Sequence, residues 1–116
     1  MFKKLVCTKS FSKVWQKAGL TDDELIKLEV SIFKDPKAGD LIKETGGLRK
    51  IRWSRPGIGK SGGVRVFYYC VLNDVLYLLA CIIKNEDENL TKQERNEFAK
   101  LLKTLEAQRK KGEEKP

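Results

Sequence analysis

The sequence has no histidine, and its three cysteines, Cys7, Cys70 and Cys81, form no C-x-x-C pair. A Cys/His zinc site is not expected on this inventory. Each cysteine lies in an apolar, strand-like run, where a reduced thiol serves as a small core residue. Acid–base chemistry near neutral pH must then use Lys, Tyr, Cys or a carboxylate with a shifted pKa. Long apolar runs are missing as well: the longest, Val75–Ile83, is far too short to span a bilayer. The early lysines of MFKKLVCTKSF precede no apolar stretch of the kind a secretory leader carries, so a cytoplasmic protein without membrane association is expected. A further absence is local. Between Gly46 and Tyr69 there is no Asp or Glu, whereas Arg49, Lys50, Arg52, Arg55, Lys60 and Arg65 all fall there.

These six cations account for most of the formal net charge of +8, which arises from 24 Lys and Arg against 16 Asp and Glu. Apolar residues alternate with them on both sides of a Gly-rich loop, the pattern of two β-strands displaying basic side chains beside a mobile connection. Such a surface suits a polyanion, with RNA or DNA the first candidate. At 116 residues, 41% of them hydrophobic and 34% charged, the chain has the size and composition of one soluble domain. That domain is expected over residues 1–108, with 109–116 as a basic, flexible C-terminal tail.

Phe2–Thr8 is a strand candidate. Phe11, Val14, Trp15 and Ala18 then recur on one helical face, and Gly19 supplies a left-handed cap. Thr21-Asp22-Asp23-Glu24 has the spacing of a capping box between Leu20 and Leu25, so a second helix starts there and ends at Asp35-Pro36. Lys37–Asp40 is expected to turn, and Leu41–Thr45 is a short connection to which the pattern assigns no structure. Leu48–Trp53 and Val64–Val71 are strands, with Ile51 and Trp53 marking the core side of the first. Asn73-Asp74 signals a hairpin, and Val75–Ile83 fits a central strand buried on both faces. Thr91-Lys92-Gln93-Glu94 repeats the capping box, opening a third helix through Phe98, Leu101, Leu102 and Leu105 to about Gln108. The order β-α-α-β-β-β-α predicts an α+β domain, a mostly antiparallel sheet with helices packed on one side.

Gly57-Ile58-Gly59-Lys60-Ser61 looks like the end of a phosphate-binding Walker A loop but departs from it. The first glycine of that motif falls on Ser54, Pro56 intrudes, and Gly62-Gly63 and a strand follow where a helix must begin. A basic lid between two strands fits better. Lys50 and Arg52, two apart on one strand, leave the same face, and Arg65 stands near them if the strands pair. Surface charge alone explains scattered cations, but six within twenty residues repel one another unless an anion offsets them. Arginine forks grip phosphate oxygens, and a lysine among like charges has its neutral form favoured, as a general base needs. In RNA the 2′-OH is the internal nucleophile, so such a cluster needs to supply in-line positioning and stabilisation of developing charge, with no cofactor or metal.

GGLRKIRW, the Gly/Lys-rich loop, GGVRVFYY, the apolar strand, and Lys84-Asn85-Glu86 with Leu90-Thr91 and a closing helix resemble the toxins of the RelE/ParE superfamily, in particular its HigB-like branch. DPKAGDLI before TGGLRKIR extends the resemblance, which covers about Phe2 to Leu105. It implies a compact RelE-like fold, cleavage of mRNA on the ribosome, and neutralisation by a cognate antitoxin protein. Carried over by position, it makes Lys50 the general base, Arg52 and Arg65 the stabilisers of phosphate and transition state, and Lys84 a charge stabiliser or proton donor. Arg49, Arg55 and Lys60 are left to bind RNA. Many RelE-type nucleases have a Tyr or His soon after the last strand. Asn85–Thr91 has neither, leaving the general acid unassigned; Tyr68, Tyr69 and Trp53 are candidates for base stacking or for the core. The alternatives are a toxin directed at a protein, as in the gyrase-poisoning branch, and a non-catalytic RNA-binding module.

Overall fold

The computed structural model describes residues 1–54, 63–83 and 90–113. It is an α+β fold of five strands and three helices: β1 (Lys4–Cys7), α1 (Lys9–Lys17), α2 (Asp22–Lys34), β2 (Asp40–Leu41), β3 (Arg49–Trp53), β4 (Val64–Val71), β5 (Val75–Ile82) and α3 (Lys92–Glu113). The strands form one sheet in the order β1-β5-β4-β3-β2. Among the described residues only the β1–β5 pair is parallel, as a strand returning after two helices allows. The expected order holds, with one two-residue strand added.

The helix starts follow from their caps. Thr8 accepts the Phe11 N–H at 3.0 Å and donates its hydroxyl to the Leu79 carbonyl at 2.9 Å, so the residue that begins α1 also ties it to β5. The capping box of α2 is complete: the Thr21 hydroxyl takes the Glu24 N–H, and the Glu24 carboxylate takes the Thr21 N–H, each at 3.2 Å. Thr91 and Glu94 repeat it at the start of α3. Gly19 follows α1 at φ 78°, where its lack of a Cβ removes the cost of the left-handed turn.

Helices cover both faces of the sheet, which corrects the expected one-sided arrangement. Phe11, Trp15, Leu28 and Ile32 of α1 and α2 pack with Val66, Tyr68, Leu76 and Leu78. Leu102 of α3, flanked by Phe98 and Leu105, packs with Leu48, Phe67, Tyr77 and Leu79 on the other side. The reason lies in β5, whose first five residues, Val75–Leu79, are all buried. A strand apolar in both directions needs cover on both faces. The sheet order puts β5 inside, next to the middle strand β4.

Two further corrections concern α3 and β2. The helix expected to close near Gln108 continues to Glu113, and Arg109, placed by sequence in a flexible tail, bonds Glu106 at 2.6 Å and reaches Asp74 at 3.7 Å. Asp40, expected in a turn, begins β2, and the unassigned connection after it completes a hairpin with β3. Thr45, fully buried, donates to the Ile42 carbonyl at 2.6 Å and accepts the Leu48 N–H at 3.1 Å, while the Ile42 N–H reaches the Leu48 carbonyl at 2.9 Å. Gly46 and Gly47 make the reversal at φ 80° and 127°, conformations that side chains resist.

Candidate functional site

Strand alternation decides which cations meet. Arg52 pairs directly with Arg65, and Lys50 with Phe67, in the antiparallel β3–β4 register. Residues opposite one another project to the same face. Lys50, Arg52 and Arg65 therefore share the face that α3 covers farther along, where Phe67 stacks on Phe98 at 6.0 Å. The sequence expectation for these three is met in placement. Together with Asp40 they line a cavity of about 320 Å³.

Asp40 escaped the sequence reading. It enters because β2 pairs Asp40 with Lys50 and Leu41 with Arg49. Counting outward from a Gly46-Gly47 reversal closed by Ile42 and Leu48 gives the same register, and that was the available signal. The backbone there is held tightly: Gly39 is buried, and a Cβ on it would lie 2.8 Å from the Tyr68 ring and 2.9 Å from the Lys50 carbonyl. Neither the Asp40 nor the Lys50 side chain makes a hydrogen bond or ion pair among the described residues.

A second cavity, of about 450 Å³, adjoins the first and shares Asp40 and Lys50 with it. It lies between the β2–β3 hairpin and the start of α3. Leu41, Ile42, Phe67 and Leu90 supply its apolar lining, and Lys43, Glu44 and Arg95 line it as well. The Arg95 guanidinium is held by the Leu90 carbonyl at 2.8 Å.

The remaining candidates go elsewhere. Arg49 points to the opposite face, where it donates to the Gly39 carbonyl at 2.8 Å and, at 3.5 Å, to that of Lys37. Its charge fastens the turn before β2. Tyr68 is fully buried there, its hydroxyl donating to the Pro36 carbonyl at 2.8 Å and accepting the Gly39 N–H at 3.1 Å, so it cannot stack on a base. Trp53 packs against the same core, its indole N–H buried without a partner among the described residues. Tyr69 lies on the α3 face but toward the far end, donating to Glu106 at 3.0 Å and stacking on Tyr77. Burial, then that hydrogen bond, pushes its phenol up to about 12. Arg55, Lys60, the Gly57–Ser61 loop, Lys84 and the Asn85–Asn89 segment lie outside the described residues.

The cysteines behave as the sequence suggested. Burial raises all three thiols, Cys81 to about 12, which disfavours the nucleophilic thiolate. Among the described residues no His/Cys/Asp/Glu group is arranged to hold a metal, and no helix is long and apolar enough to cross a membrane. What the site offers is two arginines and a lysine on a rigid sheet, able to grip a phosphodiester and stabilise a charged transition state. A family model described as "RelE toxin of RelE / RelB toxin-antitoxin system" matches residues 3–114.

Proposed function

Because the chain belongs to the RelE toxin family, and is thus a toxin with a cognate antitoxin partner, we propose that it is an endoribonuclease of the HigB-like branch that cuts mRNA on the ribosome. The observation that carries this reading is the Arg52–Arg65 pair beside Lys50 in one cavity. Arg52 and Arg65 stand directly across a strand pair, so a phosphate between them can be gripped by two guanidinium forks and held in a fixed orientation.

In the proposed reaction Lys50 takes the 2′-OH proton and O2′ attacks the adjacent phosphorus. The P–O5′ bond breaks, giving a 2′,3′-cyclic phosphate and a 5′-hydroxyl. Arg52 and Arg65 bind the non-bridging oxygens and offset the charge that builds there. Lys84, on the segment after β5, is assigned to stabilise or protonate the leaving oxygen. Every bond change is internal to the RNA or a proton transfer, so no cofactor enters the scheme. The antitoxin is proposed to cover Gly46–Arg65 with an acidic segment; charge reversal at Arg52 and Arg55 should then weaken the complex, and unchanged affinity would move that interface elsewhere.

The deciding experiment maps transcript 5′ ends after brief expression of the chain and of Arg65→Ala, with translation running and blocked. Codon-linked cuts that need translation and vanish in the variant support the reading. Growth arrest without new ends moves the target to a protein such as gyrase. Salt-sensitive RNA binding without cleavage leaves an RNA-binding module.

A further inference from the structure

We propose that the cavity between the β2–β3 hairpin and α3 is a nucleobase subsite, in which Asp40 reads the amino edge of the base beside the cleaved phosphodiester. This rests on the endoribonuclease reading and adds to it the basis of sequence preference. The two cavities meet at Asp40 and Lys50 but differ in character. The described lining of the smaller is charged throughout, whereas the larger mixes Lys43, Glu44 and Arg95 with the apolar Leu41, Ile42, Phe67 and Leu90. A nucleotide has the same two ends, a phosphate and a flat, largely apolar ring. At about 450 Å³ the larger cavity is in the range of roughly 300–1,000 Å³ typical of small-molecule sites.

Two side chains give the subsite its chemistry. Arg95 is anchored by the Leu90 carbonyl, so its planar guanidinium is presented in a fixed place, suited to stacking on a base. Among the described residues Asp40 is the carboxylate that lines both cavities, Glu44 lining the larger alone. Asp40 is exposed and its oxygens have no partner among the described residues, so they are open to a donor on the ligand; beside a bound phosphate, such a hydrogen bond offsets the repulsion between the two anions. Adenine, cytosine and guanine each carry an amino donor, and guanine can offer a second N–H beside it. Uracil has a single ring N–H between two carbonyl oxygens, which a carboxylate repels. The site should therefore favour amino-bearing bases over uracil at one position next to the cut.

The test is cut-site mapping on ribosomes programmed with transcripts that place all four bases at each position around the cleavage site, comparing the wild type with Asp40→Asn and Arg95→Ala. The wild type should disfavour uracil by about tenfold at one flanking position. Asp40→Asn should erase most of that discrimination, because an amide can donate to the uracil carbonyls. Arg95→Ala should raise KM several-fold while keeping kcat and the preference. An unchanged preference in Asp40→Asn overturns the proposal. So does an equal loss of cleavage at all four bases in a variant that melts like the wild type, since that marks Asp40 as part of the reaction itself. Absence of cleavage by the wild type would instead remove the endoribonuclease reading.

Discussion

The β3–β4 pair has two faces with opposite duties. Toward α1 and α2 it presents Ile51, Trp53, Val66 and Tyr68 to a closed core. Toward α3 it presents Phe67 under the helix, then Lys50, Arg52 and Arg65 lining a cavity. One five-residue strand thus contributes Ile51 and Trp53 to the core and Lys50 and Arg52 to the proposed site. Arg49 sharpens the contrast: it is as basic as Arg52, but its position on the core-facing side turns its charge into a clasp for the Lys37 and Gly39 carbonyls. A site carried on a rigid, half-buried sheet keeps its charges aimed at one place.

On the core-facing side, the largest loss should come from removing Tyr68. Tyr68→Ala empties a fully buried position and leaves the Gly39 N–H and Pro36 carbonyl without their partner. Loss of about 3–5 kcal/mol is expected in urea or thermal unfolding. Tyr68→Phe keeps the ring and should cost about 1–3 kcal/mol; a phenylalanine variant as stable as the wild type would show that the hydroxyl does not hold this turn. On the other face, Arg52→Ala and Arg65→Ala should lower cleavage by about 10²- to 10³-fold. The unfolding free energy of Arg52→Ala should shift by less than about 0.5 kcal/mol, because Arg52 is exposed. A large stability loss there would assign Arg52 to the fold.

Most of the architecture was legible because it follows from local rules. Both capping boxes, the Gly19 cap, the Asn73 turn and the strand alternation in RKIRW are each set by a few neighbouring residues. What stayed hidden depends on contacts between distant segments. β2 is two residues long, too short for alternation to show, and is held by Thr45 and by its pairing with β3. Asp40 therefore looked like part of a turn. The second helical layer was hidden for a related reason: the apolar run of β5 already implied cover on both faces, but nothing local to α3 says which face it takes. The Lys50, Arg52 and Arg65 cluster was legible because charges two apart on a strand share a face and Arg65 joins them once the two strands pair.

Gly39 sits between Tyr68 on the core-facing side and the backbone of Lys50, so Gly39→Ala should disturb both faces. The new methyl group would meet the Tyr68 ring on one side and the Lys50 carbonyl on the other, so β2 must move. A cost of about 1–3 kcal/mol is expected, together with reduced cleavage as Asp40 is displaced from its place across from Lys50. Full activity in a destabilised Gly39→Ala protein would separate the hairpin from the site.

The smallest expected effect lies at the far end of the α3 face, where Tyr69, Glu106 and Arg109 are linked. The Arg109 hydrogen bond, and then that of Tyr69, holds the Glu106 carboxyl below its ordinary 4.5. A lowered carboxyl gives stability that is present above its unfolded pKa and lost as pH falls through the folded one, so this contribution disappears below about pH 4.5. Tyr69 is raised from 10.0 to about 12, so its neutral phenol contributes fully below pH 10 and loses that contribution as pH rises toward 12. Glu106→Gln should remove the acid limb of this dependence and weaken the alkaline one, with a change at neutral pH of about 0.2–1 kcal/mol for a partly exposed pair. Unfolding midpoints measured from about pH 3 to 11 give the comparison. Because this network lies away from the Lys50–Arg65 cavity, cleavage at neutral pH should be unaltered; a drop in activity with the fold intact would mean that α3 transmits its position to the site, and the two ends of that face would have to be treated as one unit.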